Sequence, residues 1–155
     1  MFFRSLYGSS FVRMADDGIN AALNYGYAIL RSAVCKTLCA YGYNSVLGIH
    51  HIGEANPFNL ADDMMEPLRP LVDYWADRNH EDITDFLSRS QRNELAALVN
   101  ETVRQGNRKM LVRNAVDDFV RSLTTAITKN DPALLVPPAI LPFETVAEDE
   151  SDDQP

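Results

Sequence analysis

The chain has 155 residues, of which 46% are apolar and 23% are charged, as in a single soluble globular domain. Its net charge of −8 is unevenly placed, because residues 144–155 carry six acids and no base. The body that remains has 16 acids against 14 bases, so charge alone neither indicates nor excludes nucleic-acid binding.

The apolar pattern excludes two classes of protein. No apolar run approaches the ~20 residues that cross a bilayer. The amino terminus also lacks the charged leader, apolar block and cleavage site of a secretory signal. We therefore expect a cytoplasmic protein with no membrane partner.

The first predicted elements are helical. Residues 1–7 have the apolar spacing of the end of a helix whose beginning is absent. Asp16 or Asp17 can then cap a long helix over residues 19–40. Gly42 suits the left-handed conformation of the residue that follows such a helix.

A loop at 47–54 separates this helix from the next one. The sequence Asn-Pro-Phe-Asn at 56–59 is a helix start, and helical spacing continues over residues 60–76. Pro67 and Pro70 interrupt the pattern, so we expect a kink or a break into two helices there.

The second half of the chain predicts two further helices. A short linker at 80–88 leads to a helix that Ser90 caps and that ends at Asn100. The last clear helix covers residues 111–129. Between them, the basic and glycine-containing stretch 102–110 predicts a tight turn or a small hairpin.

These elements together predict an all-α fold, an irregular multi-helix domain. We assign residues 1–130 to one helical domain and residues 131–155 to a Pro-rich and acidic tail. The prolines keep the start of this tail extended, and we expect its acidic end to be disordered.

One stretch of the chain has the residues of a metal site. Asp62 and Asp63 lie four and three positions before Glu66, so three carboxylates share one side of the predicted helix. A bound cation would relieve their repulsion, and the loop with His50 and His51 lies just upstream. Imidazole and carboxylates together suit Mn²⁺, or Mg²⁺ if waters complete its shell.

Other interpretations of these residues stay open at this point. Acids in a first helical turn are favoured by the helix dipole without any ligand, and either histidine can bond to backbone. Asp-Asp-x-x-Glu also resembles the magnesium-diphosphate motif of isoprenoid synthases, but the second acidic motif of that class is absent from the sequence. A His-Asp phosphohydrolase requires an adjacent His-Asp pair, which the sequence also lacks.

Two blocks of the sequence resemble one family. Residues 16–31, Asp-Asp-Gly-Ile-Asn-Ala-Ala-Leu-Asn-Tyr-Gly-Tyr-Ala-Ile-Leu-Arg, resemble the long helix of the CRISPR adaptation integrase, the Cas-one family. Residues 47–51, Leu-Gly-Ile-His-His, and residues 59–73, which begin Asn-Leu-Ala-Asp-Asp-Met-Met-Glu-Pro, are similar to its metal-binding block in the type II form. The resemblance runs from residue 1 to about 128, and the two blocks together are highly specific.

The resemblance implies roles for four residues. The family holds Mg²⁺ or Mn²⁺ with a glutamate, a histidine and a later acid, and its spacing selects His51 and Glu66 here as catalytic metal ligands. His50 is then a structural neighbour. Asp63 matches an acid that flanks the metal site and supports the ligands. Arg69 matches a basic position that helps to hold the DNA strand.

The resemblance also implies that parts of the enzyme are absent. The first ligand glutamate of the family would lie upstream of Met1, and so would its amino-terminal β-rich domain, through which the integrase mostly dimerises. The chain then corresponds to a carboxy-terminal, helical, metal-binding domain that is truncated at its amino terminus. We expect the isolated chain to be a poor catalyst.

In the complete enzyme the resemblance implies spacer acquisition for antiviral CRISPR defence. A spacer 3′-hydroxyl attacks the repeat DNA in a metal-dependent transesterification, and the same site acting with water is an endonuclease. The implied partners are spacer and repeat DNA and the second adaptation subunit, Cas-two. The alternative is a catalytically inactive helical fragment that serves only as a partner-docking module.

Overall fold

A computed structural model describes residues 17–141. The predicted helix at 1–7 and the acidic end of the tail lie outside the described residues. The described part contains helices α1 (Gly18–Ala40), α2 (Asn59–Met65), α3 (Arg69–Asn79), α4 (Arg89–Ala97) and α5 (Val112–Lys129), and strands β1 (Thr102–Gln105), β2 (Arg108–Leu111) and β3 (Pro138–Ile140). Single 3₁₀ turns lie at Glu66–Leu68, His80–Asp82, Leu98–Asn100 and Pro132–Leu134. No helix of this part is both long and apolar enough to span a membrane.

The long helix α1 is the centre of the fold. Asp17 caps it as predicted, because its carboxylate accepts a hydrogen bond from the Asn20 backbone N–H at 2.8 Å. Gly42 follows the helix with φ of +82°, also as predicted. Helices α2, α3, α4 and α5 all pack against α1. Its buried face contains Leu23, Tyr27, Leu30, Val34 and Leu38.

The break that the two prolines predict is confirmed. Helix α2 ends at Met65, a single 3₁₀ turn covers Glu66–Leu68, and α3 begins at Arg69. Pro67 and Pro70 each lie within the first two positions of a new helical segment, where a missing N–H leaves no hydrogen bond unmade. Glu66 therefore lies at the start of the turn, here called the bend, between α2 and α3.

The prediction of an all-α fold is wrong, because three strands form an antiparallel sheet in the order β2-β1-β3. Strands β1 and β2 make the hairpin that was one of two structures expected at 102–110. Strand β3 pairs with the other edge of β1, with Val103 opposite Ile140. Proline excludes this segment from a helix but is compatible with an edge strand. Part of the stretch assigned to the tail thus belongs to the sheet, and β3 packs against the Glu66–Leu68 turn.

The start of α4 differs from the prediction. Ser88 caps the helix in place of Ser90, because the Ser88 hydroxyl accepts a hydrogen bond from the Gln91 backbone N–H at 3.2 Å. The Gln91 side chain in turn accepts the Ser88 N–H at 2.8 Å, which completes a capping box. The predicted end at Asn100 is reached through the 3₁₀ turn Leu98–Asn100.

Candidate functional site

Asp63 holds in place the loop that contains His50 and His51, which we call the histidine loop (residues 46–54). Its side chain is 8% exposed, and its carboxylate accepts the backbone N–H groups of Ile49 at 2.5 Å, His50 at 2.9 Å and His51 at 3.0 Å. Burial raises the pKa of this carboxyl, but the hydrogen bonds from the loop outweigh burial and hold the pKa below its usual value. Asp63 is therefore an anion around which the loop is organised.

The same carboxylate orients the imidazole of His51. The Nδ1 atom lies 2.6 Å from Asp63 Oδ1, and an anionic acceptor at this position favours the tautomer that carries its proton on Nδ1. The other ring nitrogen, Nε2, then has a free lone pair, as in metal-binding histidines that are supported by a carboxylate. The side chain of His51 is 35% exposed, so the ring is open to a ligand from solvent.

The histidine loop lies directly against the start of α2. A Cβ on Gly48 would lie 2.1 Å from the carbonyl oxygen of His51, so a larger residue does not fit there. The buried side chain of Asn59 donates to the carbonyl oxygens of Val46 at 3.0 Å and Gly53 at 2.9 Å. The loop is thus fixed on both sides of the histidines.

The three clustered carboxylates have separate partners. Asp62 accepts a hydrogen bond from Asn56 Nδ2 at 2.8 Å, Asp63 binds the loop, and Glu66 Oε1 lies 2.9 Å from Arg69 Nε. Among residues 17–141, no three His, Cys, Asp or Glu side chains converge as a ready-made metal site. The repulsion that the sequence spacing predicts is relieved by these partners.

Glu66 and Arg69 form the more exposed part of the site. Their side chains are 49% and 34% exposed, and Arg69 Nε makes no aligned hydrogen bond despite its short distance to the carboxylate. Arg69 Nε itself is buried, but both side chains are exposed enough for water to screen much of the ion pair, which then contributes little stability. The guanidinium of Arg69 also stacks on Tyr27, with its central carbon 4.8 Å from the ring centroid.

A polar cleft of about 320 Å³ lies between α1 and the α2–α3 bend. Arg31 lines this cleft but is not among the residues predicted from the sequence. Its guanidinium lies 4.8 Å from the centre of the Phe58 ring and 3.7 Å from Asp62. Its helical spacing of four from Tyr27 is the signal that could have placed it here. The cleft is lined by Asn24, Tyr27, Ala28, Arg31, Asp62, Met65 and Arg69.

Comparison with known proteins identifies the family. Residues 11–109 match the family model described as CRISPR associated protein Cas1. The CRISPR-associated endonuclease Cas1 of Neisseria meningitidis serogroup C is 36% identical over 146 residues, which are 93% of this chain and 48% of that protein. This chain belongs to the Cas1 family.

Two further relatives extend the comparison. A CRISPR-associated endonuclease Cas1 of Pyrobaculum aerophilum is 34% identical over 88 residues, which are 55% of this chain and 30% of that protein. The solved structure of a casposase bound to integration product matches 79% of this chain, and the match covers 42% of the casposase chain. With a TM-score of 0.61 and 23% identity, the two share the fold. This Cas1 chain spans about half the length of the Neisseria relative.

The four predicted site residues form two contacting pairs in the structure. His51 contacts Asp63 beside the histidine loop. Glu66 contacts Arg69 in the turn between α2 and α3. The contact between Asp63 and His51 is observed, but the supporting role of Asp63 at a metal stays a prediction. The roles of His51 and Glu66 as metal ligands and of Arg69 as a DNA contact stay predictions.

Proposed function

We propose that this chain is the metal-binding and DNA-binding helical part of a Cas1 integrase and endonuclease that acts in CRISPR spacer acquisition. The observation that carries the proposal is the hydrogen bond between Asp63 and His51. It leaves Nε2 of an imidazole that is 35% exposed available to a ligand, on a loop that the same carboxylate holds in place. The carboxylate that fixes the loop therefore also orients a histidine in the way that metal-binding sites require.

The residues present fit a hard divalent cation. His51 Nε2 and the carboxylate of Glu66 would hold Mg²⁺ or Mn²⁺, which accept imidazole and carboxylate ligands. Such an ion supplies charge neutralisation at a phosphodiester. With two protein ligands in the described part of the chain, we propose that the isolated polypeptide binds the ion weakly and is an impaired catalyst.

The chain's own residues then bind and orient the DNA. Arg69 and Arg31 lie on one cleft beside Glu66, and guanidinium groups form strong hydrogen bonds to phosphate oxygens. In the proposed reaction a DNA 3′-hydroxyl attacks a phosphodiester of the repeat. A new P–O bond forms, the old P–O bond breaks, and the repeat strand leaves with a 3′-hydroxyl. This chemistry requires positioning and charge neutralisation more than a covalent intermediate.

The proposal includes the partners that the family resemblance implies. They are spacer and repeat DNA, the second CRISPR adaptation subunit and, in a full-length protein, a second copy of the chain, all in the cytoplasm. The casposase that shares this fold is described as bound to integration product.

Binding of Mn²⁺ to the purified chain tests the proposal. Titration followed by electron paramagnetic resonance should show binding to the wild type, and His51→Ala should weaken it by roughly 10-fold or more. His50→Ala is the matched control, because it keeps the backbone N–H that His50 donates to Asp63. Equal Mn²⁺ affinities for the two variants would contradict a ligand role for His51.

A second candidate is an inactive helical module that docks a partner. The lack of three converging ligand side chains within residues 17–141 favours it. The histidine loop also exposes four aliphatic side chains, an unusual feature for a surface that meets only water. They are Val46, Leu47, Ile49 and Ile52. If the chain binds neither Mn²⁺ nor branched DNA, this candidate replaces the integrase.

A further inference from the structure

Tyr27 and Asp73 form a buried polar pair between α1 and α3. The Tyr27 hydroxyl donates a hydrogen bond to the carboxylate of Asp73, and each residue is 7% exposed. Burying a phenol and a carboxylate is unfavourable unless they are paired, and apolar residues of similar volume often serve packing equally well. Packing between the two helices alone does not require this pair.

The ring of Tyr27 is also the surface on which Arg69 lies. The guanidinium carbon of Arg69 is 4.8 Å from the ring centroid, within the range of a cation–π contact. Arg69 is the first residue of α3, and Asp73 follows it by one helical turn. Helix α3 thus supplies both the guanidinium and the carboxylate, and α1 supplies the ring that contacts each of them.

We propose that Tyr27 and Asp73 are positioning residues that hold the guanidinium of Arg69 toward the cleft, where it meets a DNA phosphate. The hydrogen bond to Asp73 fixes the ring, and the ring limits the rotamers of Arg69. A side chain that is ordered before binding loses less conformational entropy when the phosphate arrives. The inference rests on the proposed function for the DNA phosphate, whereas the contacts among Tyr27, Asp73 and Arg69 do not depend on that function.

The same helix offers a matched control pair. The guanidinium of Arg78 lies 5.6 Å from the ring centroid of Tyr74, so α3 carries a second contact of the same kind. This pair lines a different cleft, together with Trp75 and Glu94. Substitutions there change an arginine–tyrosine contact without touching the cleft of Arg69.

The first test measures Arg69 in the free protein by nuclear magnetic resonance of its Nε–H group. In Tyr27→Leu the order parameter of this group should fall and its ring-current shift should vanish, whereas Tyr74→Leu should leave both unchanged. Tyr27→Phe keeps the ring and the core volume, removes the hydrogen bond to Asp73, and should give an intermediate loss of order. If Tyr27→Leu does not fold, Tyr27→Phe alone tests the positioning role. Unchanged order of Arg69 in both Tyr27 variants would overturn the proposal, whether or not the chain binds DNA.

The second test is a double-mutant cycle for binding of branched DNA. Arg69→Ala should raise the Kd roughly 10-fold, and Tyr27→Leu should raise it about 3- to 10-fold. The double variant should bind no more weakly than Arg69→Ala alone, because Tyr27 acts only through Arg69. Independent, multiplying effects would overturn the positioning role. If wild-type protein bound no DNA, the proposed function would fail, while the order of Arg69 in the free protein would still decide the positioning role.

Discussion

The histidine side and the arginine side of the site are held in different ways. On the histidine side, a carboxylate that is 8% exposed accepts the N–H groups of three consecutive loop residues and the imidazole of His51. On the arginine side, Glu66 and Arg69 form an ion pair whose side chains are 49% and 34% exposed. The first arrangement is fixed by the fold, whereas the second is an exposed ion pair worth about 0–1 kcal/mol.

The two sides differ in how far their side chains must rearrange when a ligand binds. In the proposed function, a cation competes with Arg69 for the carboxylate of Glu66, whereas Asp63 already sets the orientation of His51. Because Arg69 also contacts the Tyr27 ring, we expect it to stay on that ring when it leaves the carboxylate, with its charge then available to a phosphate. The proposed function thus predicts that cation binding and phosphate binding support each other through Arg69.

The largest expected effect is on the histidine side. Asp63→Ala removes the acceptor of three backbone N–H groups, so we expect the free energy of unfolding to fall by about 2–4 kcal/mol. Asp62→Ala is the control, since Asp62 accepts its hydrogen bond from the Asn56 side chain and not from the loop backbone. Chemical denaturation of both variants measures the difference. Equal losses would show that the loop does not depend on Asp63.

A smaller effect should follow from enlarging the loop glycine. Gly48→Ala places a Cβ 2.1 Å from the His51 carbonyl oxygen and should destabilise the protein by about 1–3 kcal/mol. Gly53→Ala is the matched control in the same loop, because its added Cβ has no neighbour closer than 3.4 Å. A neutral Gly48→Ala in thermal denaturation would show that the loop is less tightly packed than we describe.

Substitution on the arginine side should hardly change stability. Glu66→Gln and Arg69→Gln each break a screened ion pair, so we expect the free energy of unfolding to change by under about 1 kcal/mol. Glu66→Gln should nevertheless weaken Mn²⁺ binding, because an amide is a poorer ligand than a carboxylate. A large stability loss in denaturant without metal would contradict the distinction between the two sides.

The smallest effect concerns pH. The pKa of Asp63 is lowered in the folded protein, so its contribution to stability is present above the unfolded pKa of about 3.9 and is lost as the pH falls through the lowered value. Asp63→Asn should flatten the dependence of stability on pH in this acid range. A variant with the same acid dependence as the wild type would show that Asp63 is not the anion that organises the loop.

Local sequence signals predicted much of the helical framework. The Asp17 cap, the left-handed Gly42 and the break near Pro67 each depend on a residue and its immediate neighbours. Sequence spacing left the partner of His51 open, and the structure places Asp63 against it. Glu66 lies in the turn between two helices because Pro67, which interrupts the helical pattern, follows it directly.

The features that the sequence did not predict depend on contacts between distant residues. Strand β3 has three residues and begins with a proline, and its pairing with β1 spans the whole of α5. Arg31 reaches the site only because α1 packs beside α2. At the start of α4, Ser88 and Ser90 are equivalent by residue type, and the reciprocal bond with Gln91 selects Ser88.

Anomalous diffraction from crystals of this chain soaked in Mn²⁺ tests the central claim most directly. We predict an anomalous peak that contacts both His51 Nε2 and the carboxylate of Glu66, with His51 Nδ1 still bonded to Asp63 and Arg69 released from Glu66. A peak elsewhere, or no peak while Nε2 of His51 faces away from Glu66, would contradict the account.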